Sequence, residues 1–279
     1  MPAASPTTPS SAIPRPTRHD ARRGAGIGAR AGLVARGLVY LLIGVIALRV
    51  ALGDDPGTEA DRQGALAELA SHPGGAVLVW AIGIGFVGMT LWRVTEAVLG
   101  KRGPDGDGAA KRAGSAARAV VYAVAATSVL SFAIGHAGSS GDQQSRDLTA
   151  RALALPAGPW LVGLTGLGIV IAGVVVAVQA CRRKFRDHLD THRLAEPARH
   201  AVDGLGIAGG LARGAVLAGV GVFVTLAARD YDPEKAKGMD DTLRSFAETP
   251  AGPWLLVAIA VGLALFGLFS LVQARYRRV

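Results

Sequence analysis

The sequence predicts an all-α membrane protein with six transmembrane helices, arranged as three parallel-repeat helical hairpins. Three observations carry that prediction: long apolar blocks, an alternation of basic and acidic connections, and a register that recurs three times. Half of the 279 residues are hydrophobic while only 5% are aromatic, and the apolar residues are gathered into blocks instead of a periodic stripe. Six such blocks, near Leu33–Leu52, Ala76–Leu99, Ala116–Gly135, Trp160–Cys181, Leu211–Ala228 and Trp254–Ala274, carry few or no charges. At about 1.5 Å per residue each is long enough to cross a hydrocarbon layer of about 30 Å.

Residues 1–26 are rich in Pro, Ser, Thr and Arg and read as a disordered basic tail. The apolar block that follows is too long for a signal peptide and belongs to a repeated unit, so it is expected to be retained. The formal charge of +9 is explained by its distribution. Arg15, Arg18, Arg22, Arg23, Arg30 and Arg36 precede or enter the first helix. Lys101, Arg102, Lys111 and Arg112 occupy the second connection, Arg182, Arg183, Lys184 and Arg186 open the fourth, and Arg275, Arg277 and Arg278 end the chain. The first connection instead holds Asp54, Asp55, Glu59, Asp61 and Glu68 against Arg62, and the fifth is also acidic. Basic short connections stay in the cytoplasm, which places both termini inside and the first, third and fifth connections outside. The basicity then serves topology and contact with anionic lipid, and nucleic acid is not needed as a partner.

The hexapeptide PAGPWL occurs at Pro156–Leu161 and again at Pro250–Leu255. Aligned on its first proline, the chain falls into register three times. Pro73, Pro156 and Pro250 precede the second helix of each pair. Arg36, Arg118 and Arg213 lie 37, 38 and 37 residues upstream, and Glu96, Gln179 and Gln273 lie 23 residues downstream. The repeats are residues 27–102, 110–185 and 203–279. Each has two crossings, so all three enter the membrane in the same direction, either closed about a pseudo-threefold axis or set in an open row. In the motif, proline in the first helical turn forfeits no hydrogen bond, and Trp160 and Trp254 suit the headgroup level. Repeat one departs, reading PGGAVLVW from Pro73. Upstream, DRQGALAELASHP, RDLTARALALP and DDTLRSFAETP each read as a short amphipathic surface helix.

Three tandem two-helix units, with ARG or AR opening the first helix, a proline-glycine turn before the second and Glu or Gln near its end, resemble the domain of unknown function 1206 family, three-copy membrane proteins of high-GC actinobacteria. The resemblance covers the chain from about Ile27. It implies a six-helix protein of the bacterial plasma membrane and brings no established activity.

Arg36 with Glu96, Arg118 with Gln179 and Arg213 with Gln273 fall at similar depth on antiparallel partners, and are expected to clasp each hairpin. A sharper reading makes the three arginines a ring that binds an anionic headgroup or substrate; the plainer one has them snorkel to water. Arg93 competes for Glu96 at i,i+3. At mid-depth the helices hold only hydroxyls such as Thr127, Ser128, Ser131, Thr165 and Thr225, which argues against ion coupling. Gly206, Gly210 and Gly214 share one face and serve internal packing or a homo-oligomer. His188 and His192 at i,i+4, near Asp190 and His200, lack a third placed ligand for a metal, and their segment reads as a basic surface helix. The lone Cys181 is expected to pack. No cofactor, metal or catalytic residue is assigned.

The expected function is non-enzymatic: a scaffold or accessory protein of the bacterial cell envelope, engaging membrane lipids, a membrane-protein partner or a second copy. The alternative is an uncoupled permeation pathway for small solutes or lipid. A path would bring small polar residues from all three units to one axis; a scaffold would fill that axis with apolar ones.

Overall fold

The computed structural model describes residues 18–54, 57–99, 109–136, 140–189 and 196–276. Its six long helices are α1 (Arg18–Ala51), α3 (Gly75–Leu99), α4 (Ala109–Ala133), α6 (Gly158–Cys181), α7 (Glu196–Asp230) and α9 (Gly252–Tyr276). All are long and apolar enough to cross a membrane. Three short helices, α2 (Arg62–Ala70), α5 (Gly141–Leu153) and α8 (Met239–Ala247), precede the second long helix of each repeat. No strand is found among the described residues. The protein is thus a multi-pass, all-helical membrane protein in three repeats.

Two boundaries differ from expectation. The segment from Arg18 to Gly26, assigned above to a disordered tail, is the first part of α1. The last tail proline is Pro16, and beyond it nothing interrupts a helix already nucleated by the apolar block. Residues 1–17 lie outside the described residues. Nor is a surface helix found in the fourth connection among the described residues. Lys184–His188 is a 3₁₀ turn, and from Glu196 the chain has already entered α7, with Pro197 in the first turn where it costs no hydrogen bond. Asp190 and His192 lie outside the described residues.

The proline motif is a helix-to-helix joint. Gly75, Gly158 and Gly252 each stand two residues after the register proline, and a Cβ on any of them would overlap a carbonyl oxygen at the end of the preceding short helix: Leu69, Ala152 or Leu153, and Ala247. One position earlier, Gly74 has φ +79° and Ala157 φ +63°, so an alanine occupies a left-handed conformation that glycine fills in repeat one. Trp160 and Trp254 then stand exposed at the helix starts, as a headgroup-level anchor requires.

The long helices pack in the order α6, α7, α9, α1, α3, α4. Hairpins one and three close on themselves, whereas α4 and α6, the two halves of repeat two, share no packed interface among the described residues. Half of the membrane window of α1 and of α9 is buried, against 22% in α4 and 17% in α6. The arrangement is therefore an arc whose middle is α1 and α9 and whose free ends are α4 and α6. Lipid tails are as apolar as the side chains, so close van der Waals contact holds such helices together. Gly173 of α6 faces Gly214 of α7, where an added Cβ would come within 2.7 Å of the opposing carbonyl oxygen, and Gly28 of α1 faces Gly88 of α3. Gly206 meets Phe185 and Gly210 meets Ala180, so the glycine face of α7 is spent on internal packing. The middle is filled by Ile43 and Ala47 of α1, Val129 of α4, Val216 of α7 and Ile259 and Leu263 of α9.

Candidate functional site

The N-terminus of α1 and the C-terminus of α9 share one end of the bundle, the terminal face; α2, α5 and α8 cap the other. Arg36 on α1, Arg118 on α4, Arg213 on α7 and Arg93 on α3 lie 15 to 18 residues from the capped ends of their helices. At ~1.5 Å per residue that puts all four about 22–27 Å from the cap, near the terminal-side edge of a hydrocarbon layer.

Their partners are not those of a hairpin clasp. Arg36 donates from Nη2 to Gln273 Oε1 at 2.8 Å, from Nε to Ser270 Oγ at 3.1 Å and from Nη1 to the Tyr122 hydroxyl at 3.4 Å. Repeat one is thereby tied to repeats three and two, and the expected Arg36–Glu96 pair does not form. The cause is packing: α1 lies against α9 at Gly37 and Gly267, which brings Gln273 alongside Arg36. Glu96 is held at 2.7 Å by Arg93 on its own helix. Arg213 does not take Gln273; its Nε donates to the Tyr40 hydroxyl at 3.3 Å. The guanidinium carbons of Arg36 and Arg213 lie 5.0 and 5.1 Å from the centroid of one ring, Phe266, a cation–π arrangement. Arg118 and Gln179 are exposed on helices that do not meet, so the third pair does not form.

The sequence carried a signal for the real acceptors that the register of arginines alone misses. Tyr40 and Tyr122 stand four residues after Arg36 and Arg118, and the corresponding residue after Arg213 is Leu217. Arg36 reaches the tyrosine of repeat two and Arg213 that of repeat one. A third link of this kind would run from Arg118 to position 217, where leucine offers no acceptor. Among the described residues the layer holds Arg36, Arg93, Arg118 and Arg213 against one carboxylate, Glu96, an excess of three positive charges.

On the capped side the acids that marked topology turn out to join the repeats in a ring. Asp61 of repeat one accepts from Gly141 N at 2.9 Å, Asp142 of repeat two from Asp241 N at 3.3 Å, and Asp240 of repeat three from Ala60 N at 2.7 Å. Each carboxylate meets backbone N–H groups at or just before a short helix, where orphan donors and the helix dipole favour negative charge. Arg244 bonds Asp240 at 2.8 Å, and Arg146 bonds Asp241. Burial, then the charges of Asp241, Asp240 and Asp61, push the Asp142 carboxyl up to about 7. Burial and Asp61 likewise raise Glu59. Carboxylate oxygens of Asp142, Asp240 and Asp241 fall within 4.8 Å of one another, a donor set that suits a hard cation, although the two arginines already engage Asp240 and Asp241. Cys181, expected to pack, is exposed.

A family model described as Domain of Unknown Function (DUF1206) matches residues 31–100, 113–183 and 208–277. The chain is 32% identical over 252 residues to a Bacillus subtilis (strain 168) protein called Uncharacterized protein YxxB, with 90% of each chain covered. That relative extends the resemblance beyond the actinobacteria. No solved structure matches. Three tandem matches and a relative aligned along nearly its whole length show that this chain belongs to the Domain of Unknown Function (DUF1206) family.

Proposed function

We propose that the protein is a non-enzymatic scaffold or accessory subunit of the bacterial plasma membrane, with both termini in the cytoplasm. The observation that carries the reading is the apolar filling of the middle, where Ile43, Val129, Val216 and Leu263 from all three repeats belong to one buried cluster. A permeation path needs polar groups there. Instead Thr127, Thr165 and Thr225 bond to carbonyl oxygens of their own helices, the usual way a lone hydroxyl is satisfied inside a membrane helix. The basic terminal face and acidic cap support the orientation.

The test is mass spectrometry of the complex extracted gently from its native membrane. A protein partner at fixed stoichiometry is the expected result. A chain that comes out alone and makes liposomes permeable to small solutes would overturn the reading in favour of passage.

A further inference from the structure

The arc is open in one place, and the arginine layer is incomplete in the same place. Between repeats one and two, and between three and one, an arginine donates to the tyrosine of another repeat. Between repeats two and three both halves of the link are missing: Leu217 stands where a phenol would accept, and Arg118 is exposed on α4, which does not pack on α6. Arg118 Nη1 lies 3.7 Å from where a Cβ on Gly114 would stand, so the guanidinium folds back one turn toward the terminal face. Arg213, half-buried on α7 with its guanidinium over the Phe266 ring, donates to Tyr40 through Nε, and no hydrogen bond from its two terminal nitrogens is found among the described residues. It interacts electrostatically with Tyr122, one turn from Arg118.

We infer that the opening between α4 and α6 seats one anionic glycerophospholipid from the leaflet on the terminal side, its phosphate held by Arg118 and Arg213 and its acyl chains lying along α4 and α6. Three features of the site fit that occupant together. Arg118 and Arg213 form no ion pair with a carboxylate among the described residues, and they call for an anion because unneutralised guanidinium groups at this depth are costly. Arginine presents paired donors that match phosphate oxygens. Toward the cap, the uncovered surfaces of α4 and α6 are aliphatic, with Val120, Val121 and Val124 on one helix and Leu167, Ile171 and Val174 on the other. A free phosphate would leave that apolar length unused, and a second protein helix would have to place a carboxylate at membrane depth to meet the arginines, which is costly. The inference deepens the lipid-engaging side of the proposed scaffold role, and it stands whether or not a protein partner is found.

The full chain is assembled into nanodiscs of mostly phosphatidylcholine with a minority of phosphatidylglycerol, and the phospholipid that stays bound is weighed by native mass spectrometry. One phosphatidylglycerol per chain is expected to be retained in preference to phosphatidylcholine. Arg118→Gln with Arg213→Gln should cut that preference about tenfold, the scale of a lost charge-assisted pair. Should the double variant fold poorly, Arg118→Gln alone changes an exposed residue and is expected to lose part of the preference with unchanged thermal unfolding. Equal retention of the two lipids by the unaltered chain overturns the inference. So does phosphatidylglycerol binding that survives the arginine changes, or a lipid-free chain that runs as a dimer closed over α4 and α6. A missing protein partner in the native-membrane experiment would count against the accessory role alone.

Discussion

Asp142 sits against Asp241, Asp240 and Asp61, with Arg146 on its own helix and Arg244 one turn beyond Asp240, and its carboxyl is pushed up to about 7. Its unfolded value lies near 4, so between those pH values the folded chain holds a proton that the unfolded chain has released. Stability therefore falls as pH rises from about 4 to about 7 and stays low above it. Asp142→Asn keeps an acceptor for Asp241 N and removes the charge. It should raise the unfolding midpoint at pH 8 and flatten its pH dependence, with an upper bound of about 4 kcal/mol at about 1.4 per pKa unit. In the arginine layer, Arg36→Ala strands Gln273, Ser270 and Tyr122 and should cost about 2–3 kcal/mol in detergent unfolding, whereas the exposed Arg118→Ala should stay within about 0.5. The sequence located these arginines by their register, and it misassigned their partners. Sequence spacing places a residue along its own helix, but only the gap between helices decides which neighbour it meets, and that gap was set by Gly37 and Gly267.

At the scale of an element, the joint between each short helix and the long helix after it was half legible. The repeated proline announced a helix start, but the need for glycine two residues later became clear only once the carbonyl at the end of the short helix was seen to lie against it. Two neighbouring substitutions at the start of α6 therefore carry opposite signs. Ala157→Gly relieves a left-handed alanine and should stabilise by up to about 1 kcal/mol. Gly158→Ala drives a methyl into the Ala152 and Leu153 carbonyls and should destabilise by about 1–3 kcal/mol, or shift the α5–α6 joint. Thermal unfolding of both variants in one detergent checks the pair, and equal effects would show that the joint yields freely. The extents of α1 and α7 were less legible, because a charged extension of an apolar helix, free of proline beyond its first turn, looks like a connection when judged by polarity alone.

Across the whole molecule, the three repeats are joined on one side by a ring of carboxylate-to-backbone bonds and on the other by two arginine-to-tyrosine links with a third missing. The six crossings and their triplication were readable because lipid demands long apolar helices and duplication preserves spacing. The opening in repeat two was not, since α4 and α6 are apolar whether lipid or protein covers them. What the charge pattern does predict is orientation, and the lone cysteine tests it without engineering. Cys181 is exposed at the end of α6 on the terminal face, while Arg151 is exposed on α5 at the cap. If basic connections stay in the cytoplasm, a membrane-impermeant thiol reagent added to intact cells should leave Cys181 unlabelled until the membrane is permeabilised. Arg151→Cys in a Cys181→Ser background should label at once. The reverse pattern would place the acidic cap inside, and the arginine layer would then face the outer leaflet. The lipid site would survive that result with its leaflet exchanged, because Arg118, Arg213 and the opening depend on the packing of the helices and not on which way the bundle points.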